Sequence, residues 1–228
     1  MAQPKPDGAR LPLNARPFAD PSEFSRERHR EAGHAEARRF LARHVAPGGV
    51  GAELGVFWAH FAEVMLDAFR PAKLALVDPW HELFGPRYPD WGRYTNFGRL
   101  TTAETLARAK ALAAENPGRV EVAVMTLEDF LPRQPDGHFD WIYLDARHTY
   151  EAVRAHLALI RPKMKARGVI LGDDYYLDPG HQHAGVKRAV DEFAQAEGYA
   201  LIVEDRNQFV LRPLAPPDLG VTPCVSIS

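Results

Sequence analysis

The chain has one cysteine, Cys224, a net charge of only −2, and no apolar run near the roughly 20 residues needed to cross a bilayer as a helix. Each shortage removes a class of protein. A single thiol cannot form an internal disulfide, so a disulfide-stapled scaffold is excluded, and a reducing, cytoplasmic setting suits the chain. The first residues, MAQPKPDGARLPLNARPF, hold no apolar core of a signal peptide, so neither an export leader nor a membrane partner is expected. Near-neutral charge gives no electrostatic reason to bind nucleic acid. What is present, 46% hydrophobic and 25% charged residues, is enough for one α/β domain with a full core and an extension.

The chemistry concentrates between Phe139 and Tyr176. Phe139–Leu144 is an aromatic and β-branched run that stops at Asp145. Gly168–Leu171 is similar and stops at Gly172-Asp173-Asp174. Between them Tyr150, Val153, Leu157 and Ile160 have helical spacing, broken at Arg161-Pro162. A strand, a crossover helix and a parallel strand put both strand ends on one edge of a sheet, where open α/β sheets bind ligands. A lone strand-end aspartate usually caps a turn. Three on one edge repel each other unless a cation lies among them, and Asp145, Asp173 and Asp174 therefore form a candidate site for a hard divalent ion, Mg²⁺ first, with Mn²⁺ or Ca²⁺ as alternatives.

A second βαβ unit lies upstream. Gly48–Ala59 reads as a short strand, an acid (Glu53) and a tight turn, followed by a helix over about 59–69 and a buried strand, Leu74–Val77, closed by Asp78. Glycine lets a ligand approach the backbone, and the second acid is placed to grip ribose hydroxyls. The dinucleotide fingerprint is absent: Gly55 is in place, but Phe57 and Ala59 stand where further glycines belong. Such a bulky, acid-preceded turn is poor for phosphate and suits an uncharged or cationic ligand. That disfavours a nucleotide- or NAD-binding domain.

Taken in order, Glu53-Leu54-Gly55-Val56-Phe57, Val77-Asp78-Pro79-Trp80, Phe139–Tyr150 and Gly172-Asp173-Asp174-Tyr175 resemble the motifs of class I S-adenosylmethionine-dependent methyltransferases. Within that superfamily they are most similar to small-molecule and sugar O-methyltransferases with an acidic Mg²⁺ triad. The resemblance covers about residues 48–212. It implies a Rossmann-like seven-stranded sheet with its last strand pair antiparallel and helices on both faces. It implies S-adenosylmethionine as cofactor: Glu53, Gly55 and Phe57 on its methionine and ribose side, Asp78 at the ribose hydroxyls, Trp80 nearby, and Thr126 and Leu127 beside the adenine. It also implies Asp145, Asp173 and Asp174 as Mg²⁺ ligands and a small-molecule hydroxyl as acceptor. His148, three residues beyond Asp145, has the near-neutral pKa of a general base and is named with Asp145 as catalytic. Two departures stand out: Ala59 where such sequences often carry Gly, and Ala146-Arg147 where relatives often carry Gly-Asp. A metal-independent enzyme using His148, or a non-catalytic binding or scaffold relative, is what these departures would allow.

The remaining segments frame that domain. Residues 1–20, with four prolines, read as a flexible arm, and residues 21–47 as a helical extension whose helix runs from Pro21 to about His44. Trp80–Leu100 is aromatic and aperiodic: a lid or acceptor wall, or else a satellite cluster or subunit contact that would make a homo-oligomer. His181 and His183 sit in a loop and are expected to face the acceptor, since a zinc site would show a fuller ligand set. Thr101–Asn116 and Gly185–Ala196 read as helices, Val120–Met125 as a strand, and Tyr199–Val203 with Gln208–Arg212 as a closing hairpin. Residues 213–228 read as an irregular tail.

Overall fold

In a computed structural model of the chain, residues 21–80 and 102–214 are described. The expected arm at 1–20, the aromatic segment after Trp80 and the tail beyond Leu214 lie outside them. The strands are β1 (Val50–Leu54), β2 (Lys73–Asp78), β3 (Val120–Val124), β4 (Phe139–Leu144), β5 (Met164–Gly172), β6 (Tyr199–Glu204) and β7 (Gln208–Pro213). They form one seven-stranded sheet in the order β3-β2-β1-β4-β5-β7-β6. The pairs from β3 to β5 are parallel, while β7 runs antiparallel to both β5 and β6.

The parallel strands read as apolar runs because both of their faces are covered. Along β4 the pleat sends Trp141 and Tyr143 to one layer with Phe61, Met65, Leu74 and Leu106, and Ile142 and Leu144 to the other with Leu157, Ile160 and Val190. The first layer is covered by α1 (Pro21–Glu36), α2 (His60–Val64) and α3 (Thr102–Glu115), the second by α4 (Leu127–Phe130), α5 (Tyr150–Ile160) and α6 (Ala184–Glu197). Local signals set the helix ends. Thr149 caps α5 by accepting from the Ala152 N–H, and α6 stops at Gly198 in the left-handed region at φ 68. No helix among the described residues is long and apolar enough to cross a membrane.

Three elements differ from expectation. The N-terminal helix is not continuous to His44. It ends at Glu36, tightens to i→i−3 bonds (Arg38 N–H to Ala35, Leu41 N–H to Arg38), and continues as a 3₁₀ segment, Arg39–His44. The fully buried Leu41 anchors that segment, and Arg38 stands at the break. The helix expected over 59–69 is α2 followed at once by a π-helical turn, Met65–Phe69. β5 starts at Met164, because Lys165–Arg167 form an exposed bulge whose polar residues carry no strand pattern; the register jumps from Phe139↔Met164 to Trp141↔Val169.

One glycine is required by two constraints together. Gly55 follows β1 at φ 91, and a Cβ there would collide with the carbonyl of Asp145 just after β4. Gly55→Ala is expected to cost about 3 kcal/mol or more, adding the left-handed penalty to the clash. That is a fall in melting midpoint of roughly 6–12 °C for a chain of this size. A melting curve that matches the parent chain would contradict the close approach.

Candidate active site

Because β1, β2, β4 and β5 are parallel and in register, their last residues meet on one rim. The Asp145 N–H bonds the Leu54 carbonyl at 2.9 Å, and the Asp173 N–H bonds that of Leu144 at 3.2 Å. Glu53, Gly55, Asp78, Asp145, Asp173 and Asp174 are thereby gathered from segments up to 121 residues apart in the sequence, the span from Glu53 to Asp174.

Arg38 lies among the acids. Its Nη2 is 2.8 Å from Asp173 Oδ2, and its Nη1 is 3.5 Å from Asp145 Oδ2 and 3.2 Å from the Tyr143 hydroxyl. Tyr143 donates to Gln208 Oε1 at 2.9 Å, and Gln208 Nε2 donates to Asp173 Oδ1 at 2.6 Å. The four side chains close a ring. Tyr143 and Gln208 are fully buried, while the Arg38 side chain is 23% exposed with its guanidinium 5.5 Å from the centre of the Phe61 ring. Burial opposes the charge on Arg38, but Tyr143, Asp173, Asp145 and Glu53 outweigh it and raise its pKa. Burial and the neighbouring Asp145 raise the pKa of Asp173, with Arg38 acting in the opposite direction. Nothing in the local sequence separates Arg38 from Arg39 or Arg43, so pattern reading missed it, as it did the roles of Tyr143 and Gln208.

His148 and His183 address the other side. His148 Nε2 is 2.9 Å from Asp174 Oδ2 and 3.3 Å from Asp145 Oδ1. Burial would lower its pKa, but the two carboxylates push it up to about 10, so the resting group is an imidazolium. His183 Nδ1 lies 3.1 Å from Asp174 Oδ1 but off the line of a proper hydrogen bond, and the two imidazoles stack with centroids 4.6 Å apart. Burial alone would raise the pKa of Asp174; the two histidines reverse the sign and lower it. Asp174 holds a left-handed backbone, φ 64, which its N–H to Asp173 Oδ1 helps to fix. Among the described residues, His148, Asp174 and His183 are the grouping whose ligand atoms all lie within 4.8 Å of one another. It shares only Asp174 with the expected all-carboxylate set. His181 stacks on Tyr176 and meets the His183 ring edge-on, with centroids 5.3 Å apart.

The turn after β1 is held by Asp78. Its Oδ2 accepts from the N–H groups of Val56 (2.9 Å) and Phe57 (3.0 Å), its Oδ1 accepts from the Trp80 N–H (2.8 Å), and the Trp80 indole donates to the Phe57 carbonyl (2.9 Å). Burial raises the Asp78 pKa against these three donors. Phe57, Ala59 and Trp80 all have positive φ, at 49°, 56° and 40°. Ala59, fully buried, thus occupies the conformation that glycine would take with less strain. Glu53, next to last in β1, has Oε2 buried and without a hydrogen bond, and burial with Asp145 raises its pKa well above the carboxylate range. Thr126 and Leu127 follow β3 on the same edge; Thr126 caps α4 by accepting from the Asp129 N–H at 3.2 Å, and Leu127 is buried.

A family model described as a methyltransferase domain matches residues 48–175. Among solved structures, a protein of Corynebacterium glutamicum is 14% identical, with 88% of this chain and 94% of that chain covered and a TM-score of 0.57. A 1,6-didemethyltoxoflavin-N1-methyltransferase of Burkholderia thailandensis, solved with 1,6-didemethyltoxoflavin and S-adenosylhomocysteine, is also 14% identical, with 90% and 94% covered and a TM-score of 0.53. At such identities the likeness is one of fold. A comparison with curated proteins gives no match.

The charge on His148 depends on its two carboxylates. Asp174→Asn is expected to move its pKa down from about 10 towards the ordinary histidine range, read by NMR titration of the ring. An unmoved titration would contradict the pairing.

Proposed function

Because the chain belongs to the methyltransferase domain family and is an S-adenosylmethionine-dependent methyltransferase, we propose that its acceptor is a hydroxyl oxygen on a small sugar-like or aromatic molecule. The observation that carries this reading is the contact of His148 with both Asp145 and Asp174 on the rim where β1 and its tight turn end. A site built to deprotonate a hydroxyl needs a proton acceptor there, and imidazole is the side chain suited to it. The cofactor fits this edge: the buried, unpartnered Glu53 Oε2 offers an acceptor for its hydroxyl or ammonium groups, and the surrounding acids favour a cation. When bound, S-adenosylmethionine supplies an electrophilic methyl group on a positively charged sulfur.

The residues present then have distinct tasks. Asp78 and Trp80 fix the turn that carries Gly55 and Phe57, which limits movement of whatever rests on it. Asp145 holds His148 Nε2 towards the rim. With the Nε2 proton given to the Asp145 and Asp174 carboxylates, His148 takes the hydroxyl proton at Nδ1 as the acceptor oxygen forms its bond to the methyl carbon and the sulfur keeps the electron pair of the broken bond. Alignment of oxygen, carbon and sulfur supplies much of the rate in such an in-line displacement. The resting imidazolium must first lose its proton. Since His148 is pushed up to about 10, kcat/KM should rise with pH across the neutral and mildly alkaline range.

A second reading, Mg²⁺ held by Asp145, Asp173 and Asp174, is favoured by the convergence of three carboxylates. As they stand the acids do not fit that ion. Mg²⁺ demands a near-octahedral set of oxygens, whereas here Asp145 and Asp173 meet a guanidinium and Asp174 meets two imidazoles.

His148→Ala should lower kcat by roughly 10²–10⁴-fold, remove the rise of kcat/KM with pH, and leave the calorimetric affinity for S-adenosylmethionine unchanged. Retention of both rate and pH profile would remove His148 as the base.

A further inference from the structure

We propose that Arg38 is the resident counter-cation of the active site. Its guanidinium takes the place between Asp145 and Asp173 where a divalent ion would otherwise sit, so the N-terminal extension, not a metal, completes the catalytic rim. This deepens the reading above and rests on Asp145 holding His148.

The bonding of Asp173 is the strongest ground. Its Oδ1 accepts from Gln208 Nε2 at 2.6 Å and from the Asp174 N–H at 2.7 Å, while Oδ2 faces Arg38 Nη2 at 2.8 Å. Both oxygens are engaged by donors anchored in the fold. A metal could enter only by displacing Arg38, and the freed guanidinium would leave the Tyr143 hydroxyl without the donor it now accepts from. Gln208 and Tyr143 are buried polar groups whose hydrogen bonds are directed at this ring, which is the costly arrangement a fold tolerates when every member is satisfied.

Electrostatics point the same way. The Arg38 guanidinium already sets a fixed positive charge against Asp145 and Asp173, which leaves those two carboxylates a poor match for a divalent ion. A guanidinium is also suited to the task in a way an ammonium is not. Its planar fork lets Nη1 and Nη2 address Asp145 and Asp173 separately while its face lies near the Phe61 ring. Its position is set from the other side by Leu41, buried three residues further on. Arg38 is thus a positioning residue, acting on His148 through Asp145.

Mn²⁺ titration followed by electron paramagnetic resonance tests this directly, since free and bound Mn²⁺ give different signals whether or not methyl transfer is assayed. The parent chain should leave Mn²⁺ free, and its transferase activity should be indifferent to chelator. Arg38→Ala should capture Mn²⁺ at the vacated carboxylates, lose at least tenfold in kcat, and regain part of it with methylguanidine. Stoichiometric Mn²⁺ on the parent chain that disappears in Asp173→Asn would overturn the proposal, as would an Arg38→Ala chain that neither binds Mn²⁺ nor responds to methylguanidine. Should Arg38→Ala fail to fold, Arg38→Lys decides: a several-fold fall in kcat with unchanged S-adenosylmethionine affinity supports the bridging role, and parental activity refutes it. A folded parent chain that binds no S-adenosylmethionine would instead count against the function itself, leaving the Mn²⁺ result standing.

Discussion

Like charges gathered at the ends of adjacent parallel strands must be neutralised before the sheet can close over them, and this constraint organises the molecule. The β1-β4-β5 register places Asp145 and Asp173 on neighbouring strands with Asp174 next in line. Their compensation comes from three different directions: Arg38 from the N-terminal extension, His148 from the loop after β4, and His183 from the start of α6. Gln208 on the antiparallel β7 closes the arrangement. The last strand therefore does more than join β5 to β6; it fixes the acid that holds the arginine.

A second local constraint fixes the turn after β1. Asp78 and Trp80 clamp the turn after β1 through the backbone of Val56 and Phe57. Asp78 Oδ2 takes two backbone donors and its Oδ1 one, so this buried carboxylate organises the turn. Three non-glycine residues at positive φ around this turn show that its shape is held by packing and hydrogen bonds against local preference.

Sequence reading succeeded where local signals were complete. β4 and α5 match their expected bounds because an aromatic run, a capping threonine and an Arg-Pro stop all mark the same residues. It failed where tertiary contacts set the outcome. The break at Arg38 has no local cause stronger than the pull of Leu41 into the core and of the guanidinium onto carboxylates 107 and 135 residues away. Likewise nothing in an i, i+2 histidine pair says that one member meets Asp174 while the other stacks on Tyr176. The gathering of the acids was legible from strand topology; the identity of their counter-charge was not, because it depends on a segment outside the domain's own motifs.

The most direct measurement is transfer from S-adenosylmethionine labelled with ¹³C in the methyl group, offered with hydroxylated sugars and phenols in chelated buffer and read by NMR. A methoxy signal that grows without added metal, and is absent with Asp145→Asn, is the expected result. A methyl group delivered only to nitrogen or carbon, or a methoxy signal that requires added Mg²⁺, would contradict it.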